Sequence, residues 1–119
     1  MSDLKQRLRL YFNTLNVFDL KTVEMMFAED AIYVSSGLNN QKLGRANIIA
    51  SFKTYFEEFA DQVSVDDNIK LIGPKTFSSD WRLKTTSVKT GKLMERSGTQ
   101  VTTFNEAGLI VHVEVRDQT

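Results

Sequence analysis

The sequence predicts an α+β fold in which three N-terminal helices sit in the concavity of a curved, mostly antiparallel sheet. Three observations carry that expectation. Apolar residues recur mainly at helical spacing before Asp61, and they alternate at period two after it. Turn signals at Gly73-Pro74, Thr90-Gly91 and Asn105-Glu106-Ala107-Gly108 then divide the second half into β-rich runs. Helices followed by strands are the α+β pattern.

Leu4, Leu8, Tyr11, Phe12 and Leu15 fall at i, i+4, i+7, i+8 and i+11, on one face of a first helix that Ser2 can cap. Lys5, Arg7, Arg9 and Asn13 take its other faces. Asp19 can cap a second, shorter helix ending near Phe27, with Phe18 and Val23 as a hydrophobic staple and Ala28-Glu29-Asp30 leading out. Ala31 to Ser35 is β-branched or aromatic and is stopped by Ser36-Gly37, so it reads as a strand, and the polar Asn39 to Lys42 reads as a loop. From Arg45 onward, Ile48, Ile49, Phe52, Tyr55, Phe56 and Phe59 repeat at helical spacing. A third helix with so aromatic a face needs a large apolar partner.

Four strands follow, near 63–72, 76–89, 92–104 and 109–116. Strands this long exceed the usual five or six residues, and long antiparallel strands twist and coil enough to wrap a helix. One concave face can then take the aromatic side of the third helix. Incomplete closure at one end leaves a pocket.

Composition narrows the function. The 119 residues suit one domain spanning 1–119, and 41% apolar with 25% charged residues are ordinary globular values. Fifteen basic and fifteen acidic side chains cancel, which argues against nucleic acid or anionic lipid as partner. The absence of Cys rules out disulfides, thiolate metal sites and a Cys nucleophile. Charges in MSDLKQRLRL oppose a signal peptide, and no apolar run is long enough to span a membrane, so the expected location is cytoplasmic. No HExxH, no His pair and no Gly-rich phosphate loop is present, so neither metal nor cofactor is expected.

The element order, Asp19-Leu20, Phe27-Ala-Glu-Asp-Ala31, Gly44-Arg45 before the third helix and the terminal Phe104-Asn-Glu-Ala-Gly-Leu-Ile110 together resemble the nuclear transport factor 2-like superfamily. Within it the chain looks like the SnoaL-like and ketosteroid isomerase branch. The resemblance covers nearly the whole chain and implies a cone-like fold around a pocket. Isomerases of that branch use a Tyr of the first helix and a protonated Asp on a late strand as an oxyanion hole, and an Asp at the end of the first strand as base. The resemblance places those three positions on Tyr11, Gln100 and Ser35. A Ser hydroxyl without an adjacent base cannot remove a carbon-bound proton near neutral pH, so steroid isomerisation by that route is not expected. Tyr11 and Gln100 can still donate hydrogen bonds to a ligand oxygen.

Strand parity fills in the rest of the expected pocket. Taking Gln100 as inward makes Arg96 and Gly98 inward, and the resemblance adds Trp81 and Leu83. Val113, Val115 and Asp117 share a face of the last strand, and Tyr33 shares the inward face with Ser35. Phe52 and Phe56 supply the wall from the third helix. Two readings stand beside each polar member. Tyr11 is a core Tyr or a ligand contact, Ser35 a strand-end hydroxyl or a lining group, and Gln100 a pocket amide or an exposed one. Arg96 is an anion clamp or a paired side chain at the edge, and Asp117 is a frayed terminus or the missing carboxylate at the mouth. The sole histidine, His112, has the opposite parity and is assigned to the outer face, at a subunit contact.

Two function classes follow. The first is a pocket of a few hundred Å³ for a small, apolar, oxygen-bearing molecule, as a binding protein or an isomerase- or cyclase-like enzyme. The second is a non-catalytic dimerisation or adaptor module with a closed interior and an apolar outer sheet face. That face carries Arg82, Lys84, Thr99, Val101, Thr103, His112, Glu114 and Arg116, polar for a subunit core, although the resemblance implies a homodimer through it.

Overall fold

The computed structural model describes residues 4–35 and 40–118. The elements run α1 (Leu4–Asn16), α2 (Leu20–Met26), β1 (Phe27–Ser35), β2 (Asn40–Leu43), α3 (Arg45–Glu58), β3 (Val63–Gly73), β4 (Thr76–Thr86), β5 (Leu93–Phe104) and β6 (Ile110–Asp117). The strands form one six-stranded sheet in the order β2-β1-β6-β5-β4-β3. Among the described residues, only β1 and β6 pair in parallel. The expected α+β arrangement of three helices and a curved, mostly antiparallel sheet is the one observed.

Helix α1 buries Leu8, Tyr11 and Phe12 as its periodicity requires. The Ser2 cap and the Ser36-Gly37 stop lie outside the described residues. Asp19 caps α2, its carboxylate accepting from Thr22 N at 3.2 Å and from Thr22 Oγ1 at 2.6 Å. Phe18 stands just before that cap at φ 59° and turns its ring edge-on to Phe56 at 4.8 Å, which ties the α1–α2 corner to α3.

Three boundaries differ from the sequence reading, the simplest being that the strand expected over 76–89 ends at Thr86. The strand expected from Ala31 begins at Phe27, directly after α2. Phe27 is fully buried, pairs with Ile110 of β6 and stacks edge-on against Tyr11 at 5.6 Å, so tertiary burial overrides the polar Glu29-Asp30 that follows it. The expected loop through Lys42 instead contains β2, antiparallel to β1 with Val34 opposite Gln41 and Tyr33 opposite Lys42. A polar edge strand has no apolar alternation to reveal it, and its charge protects the open edge.

Two tethers hold the helical layer over the sheet. Arg7 Nε donates to Gly108 O at 2.9 Å, joining α1 to the β5–β6 turn. Asn105 braces that turn, its Oδ1 accepting from Ala107 N at 2.9 Å and Leu109 N at 3.0 Å. Asn16, the last residue of α1, grips Ser64 of β3. Its Nδ2 donates to Ser64 O at 2.8 Å, and its Oδ1 accepts from Ser64 N at 3.1 Å and Ser64 Oγ at 3.0 Å. The core packs between these layers around Leu8, Tyr11, Phe27, Ile48, Phe52, Phe77, Phe104, Ile110 and Val113.

Candidate functional site

Beside this core, the concave face encloses a partly open cavity of ≈ 120 Å³. It is smaller than the few hundred Å³ expected, and Phe12, Leu15, Tyr55 and Phe56 join its lining. A space of this order suits about one six-membered ring. Of the residues expected at the site, Tyr11, Tyr33, Ser35, Phe52, Phe56, Trp81, Leu83, Arg96, Gln100 and Val115 line it. Val113 does not: it is fully buried in the core. Asp117 is absent from the lining too, its carboxylate turned to Arg96.

The sequence reading missed one charged group of the lining. Asp66 of β3 faces the cavity, opposite Trp81 in the β3–β4 register, and its neighbour two residues back, Ser64, lies opposite Leu83. Strand β3 is patterned in reverse. Val63 and Val65 are 64% and 42% exposed, while Ser64 and Asp66 turn inward. A signal was nevertheless available. Counting back from the Gly73–Thr76 closing pair keeps Asp66 on the face of Leu83 and Trp81, because the two register shifts in this hairpin cancel in parity.

Gln100 Nε2 donates to Asp66 Oδ1 at 2.9 Å. The amide expected to meet a ligand beside Tyr11 is therefore committed to the carboxylate, with one N–H left over. Burial pushes Asp66 from the ordinary 3.8 up to about 6; the Gln100 hydrogen bond opposes the rise, and the nearby charge of Asp67 adds to it. Tyr11, 1% exposed, is raised well above 10, first by burial and then by the negative charges that Tyr33 and Asp66 would carry. Tyr33 is raised by burial, then by Tyr55 and Asp66. Both phenols are thus fixed as neutral O–H donors beside a carboxylate that titrates close to neutrality. Tyr55 is pushed up to about 12, chiefly by burial and against the pull of Arg96, and its hydroxyl donates to Gln62 Oε1.

On the same sheet face, in the row of Ser64 and Leu83, Arg96 Nε donates to Asp117 Oδ2 at 2.6 Å and Nη2 reaches the same oxygen. These side chains are only 19% and 14% exposed. Of the two readings of Arg96, the structure shows the paired side chain. Trp81 lies across Gly98 and donates Nε1–H to Thr99 O at 2.9 Å. A Cβ at position 98 would fall 2.8 Å from Trp81 Cζ2 and 1.8 Å from Arg116 O, so only glycine lets the indole form this wall. His112 sits half-buried on β6 opposite Thr103, away from the cavity. Among the described residues, no group of three or more His, Cys, Asp or Glu could hold a metal ion.

The sequence matches the SnoaL-like domain family over residues 8–113. No curated protein matches it. Solved structures of the nuclear transport factor 2-like fold superpose closely. A protein of unknown function from Burkholderia pseudomallei is 21% identical, with 99% of this chain and 92% of that one covered and a TM-score of 0.85. An epoxide hydrolase/cyclase-like enzyme with a role in pyran ring formation in the polyether salinomycin is 18% identical, covering 98% and 91% at a TM-score of 0.86. A Mycobacterium tuberculosis protein in complex with estradiol-17β-hemisuccinate is 16% identical, covering 100% and 95% at 0.82. At these identities the likeness is one of fold.

Proposed function

We propose that this chain, which belongs to the SnoaL-like domain family, binds a small, apolar, oxygen-bearing molecule in its cavity and moves a proton on it, with Asp66 as the general base. The carrying observation is a lone carboxylate inside an aromatic cavity, with a pKa of about 6 and the phenols of Tyr11 and Tyr33 in the same lining. A base works best when it is ionised at working pH yet still basic, and a carboxyl near 6 meets both conditions better than one near 4. Tyr11 and Tyr33 would donate to the ligand oxygen, where negative charge grows as a carbon-bound proton leaves for Asp66. Gln100 holds Asp66 in place. Ser35, at the position where related isomerases carry their base, lines the cavity without taking that role. The reaction class is proton abstraction beside a carbonyl, as in isomerases and aldol-type cyclases.

The test is hydrogen–deuterium exchange at the α-methyl group of acetophenone in D₂O, followed by proton NMR. Wild type should catalyse exchange with a rate that rises through about pH 6. Asp66→Asn should lose on the order of a hundredfold or more, and Tyr11→Phe should slow it by about tenfold or more. Exchange that survives Asp66→Asn would refute the assignment of the base.

The alternative of a non-catalytic dimerisation or adaptor module calls for a closed interior, and the cavity weighs against it. A homodimer through the outer sheet face is compatible with the pocket reading. That face carries Arg82, Lys84, Glu114 and Arg116, some in ion pairs with their own neighbours, so such an interface would be wet. A monomer in sedimentation equilibrium at high micromolar concentration would end that part of the proposal.

A further inference from the structure

An arginine in the wall of an aromatic cavity invites reading as an anchor for a ligand carboxylate, but its surroundings here argue the reverse. Arg96 already places Nε and Nη2 on one oxygen of Asp117, and both side chains are largely withdrawn from water. A ligand carboxylate would have to share the guanidinium with Asp117, whose charge stands beside it and repels a second anion. The other charged group of the lining is Asp66, held by Gln100 and not by Arg96. Counting Arg96 with Asp117 as neutral leaves the cavity with a net negative charge when Asp66 is ionised. An anion entering it meets one carboxylate inside and a second blocking the only cation of the lining.

We infer that Asp117 is a positioning residue that holds Arg96 as a neutralised wall, so that the cavity selects uncharged oxygen-bearing molecules and rejects carboxylates of the same shape. This rests on the pocket reading above and deepens it by naming the ligand class. It also gives the last strand a task. β6 carries Val115 into the cavity lining and, two residues on, Asp117 against Arg96, so one strand end supplies both wall and lock.

The test uses acetophenone and benzoate, which differ by a methyl ketone against a carboxylate on the same ring. Dissociation constants are measured by NMR titration at pH 8 and fixed ionic strength. Wild type should bind acetophenone more tightly than benzoate by at least about tenfold. Asp117→Asn, which keeps the side-chain shape but frees the guanidinium charge, should improve benzoate binding by about tenfold and leave acetophenone within about twofold. Asp117→Glu should restore the wild-type preference, a rescue that a purely structural role would not track with ligand charge. Arg96→Gln should give no gain for benzoate. Benzoate binding to wild type as tightly as acetophenone would overturn this inference while leaving the pocket reading intact. A folded Asp117→Asn with unchanged selectivity would overturn it as well. If Asp117→Asn does not fold, the wild-type ratio and the Arg96→Gln result still decide. Failure of both probes to bind would overturn the pocket reading and this inference together.

Discussion

Replacing Asp66 with Asn separates the stability role of the carboxylate from its chemistry, and the structure sets the size of the effect. In the unfolded chain Asp66 should titrate near its ordinary 3.8, and in the folded protein it titrates at about 6. The folded state therefore binds the proton more tightly, and stability from this group is greatest below 3.8 and is lost as pH rises through 6. Each pH unit of that rise is worth about 1.4 kcal/mol, so ionising Asp66 costs at most about 3 kcal/mol, some 2 kcal/mol of it between pH 4.5 and 7.5. Asn cannot ionise, and its Oδ1 can still accept from Gln100. Urea denaturation of both proteins across that range should show the variant gaining about 2 kcal/mol relative to wild type as pH rises. The comparison cancels Asp19, Asp61 and Glu106, whose hydrogen bonds lower their pKa values and which act in the opposite direction. Parallel stability curves, or a variant that loses ground at high pH, would refute the claim that Asp66 is a desolvated carboxylate.

Three further substitutions probe the frame around it. Thr102 is fully buried and its Oγ1 has no hydrogen-bond partner, so Thr102→Val should raise stability by about 1 kcal/mol in urea, and a loss of that size would show the hydroxyl to be satisfied. Gly98→Ala drives a Cβ into Arg116 O and the Trp81 ring, both in firmly paired strands. It should cost about 3 kcal/mol or more and blue- or red-shift tryptophan fluorescence, whereas near-native stability would mean that the β5–β6 ladder yields easily. Asn16→Ala removes three hydrogen bonds to Ser64 and should cost about 2 kcal/mol, with faster amide exchange along the first residues of β3; unchanged exchange there would deny the tether.

Much of the fold was legible because its elements satisfy local and global demands together. The Leu4-Leu8-Tyr11-Phe12 stripe, the Asp19 cap and the aromatic face of α3 are all patterned for the surface they meet. The inward set on β5 followed from parity once Gln100 was placed, and the resemblance supplied Trp81 and Leu83 on β4, which the eleven paired positions from Thr76 to Thr86, without a register shift, keep on the same face. What stayed hidden was decided at longer range. Phe27 enters the sheet because Ile110, at the far end of the chain, pairs with it. β2 forms because β1 offers an edge, although no residue of Gln41-Lys42 favours a buried strand. The partners of Arg96 and Gln100 were likewise invisible, because side-chain pairing across strands depends on register and rotamer as well as on which face a residue takes.

Asp66 is the instructive miss, because the sequence contains the anomaly that marks it. A strand reading Val63-Ser64-Val65-Asp66 should turn its valines to the core, as β6 does with Val113 and Val115. It turns them to solvent, which exposes apolar surface and buries a carboxylate at the same time. Neither half of that inversion helps folding, and the register that enforces it is held from outside β3 by Asn16 at Ser64 and by the pairing with β4. A local pattern overruled at such cost, where the carboxylate reaches an aromatic cavity, is what the proposed chemistry would ask of its base: a site kept at the expense of stability. Asp66→Asn should therefore move stability and proton exchange in opposite directions above pH 6, a combination that an ordinary structural aspartate would not produce.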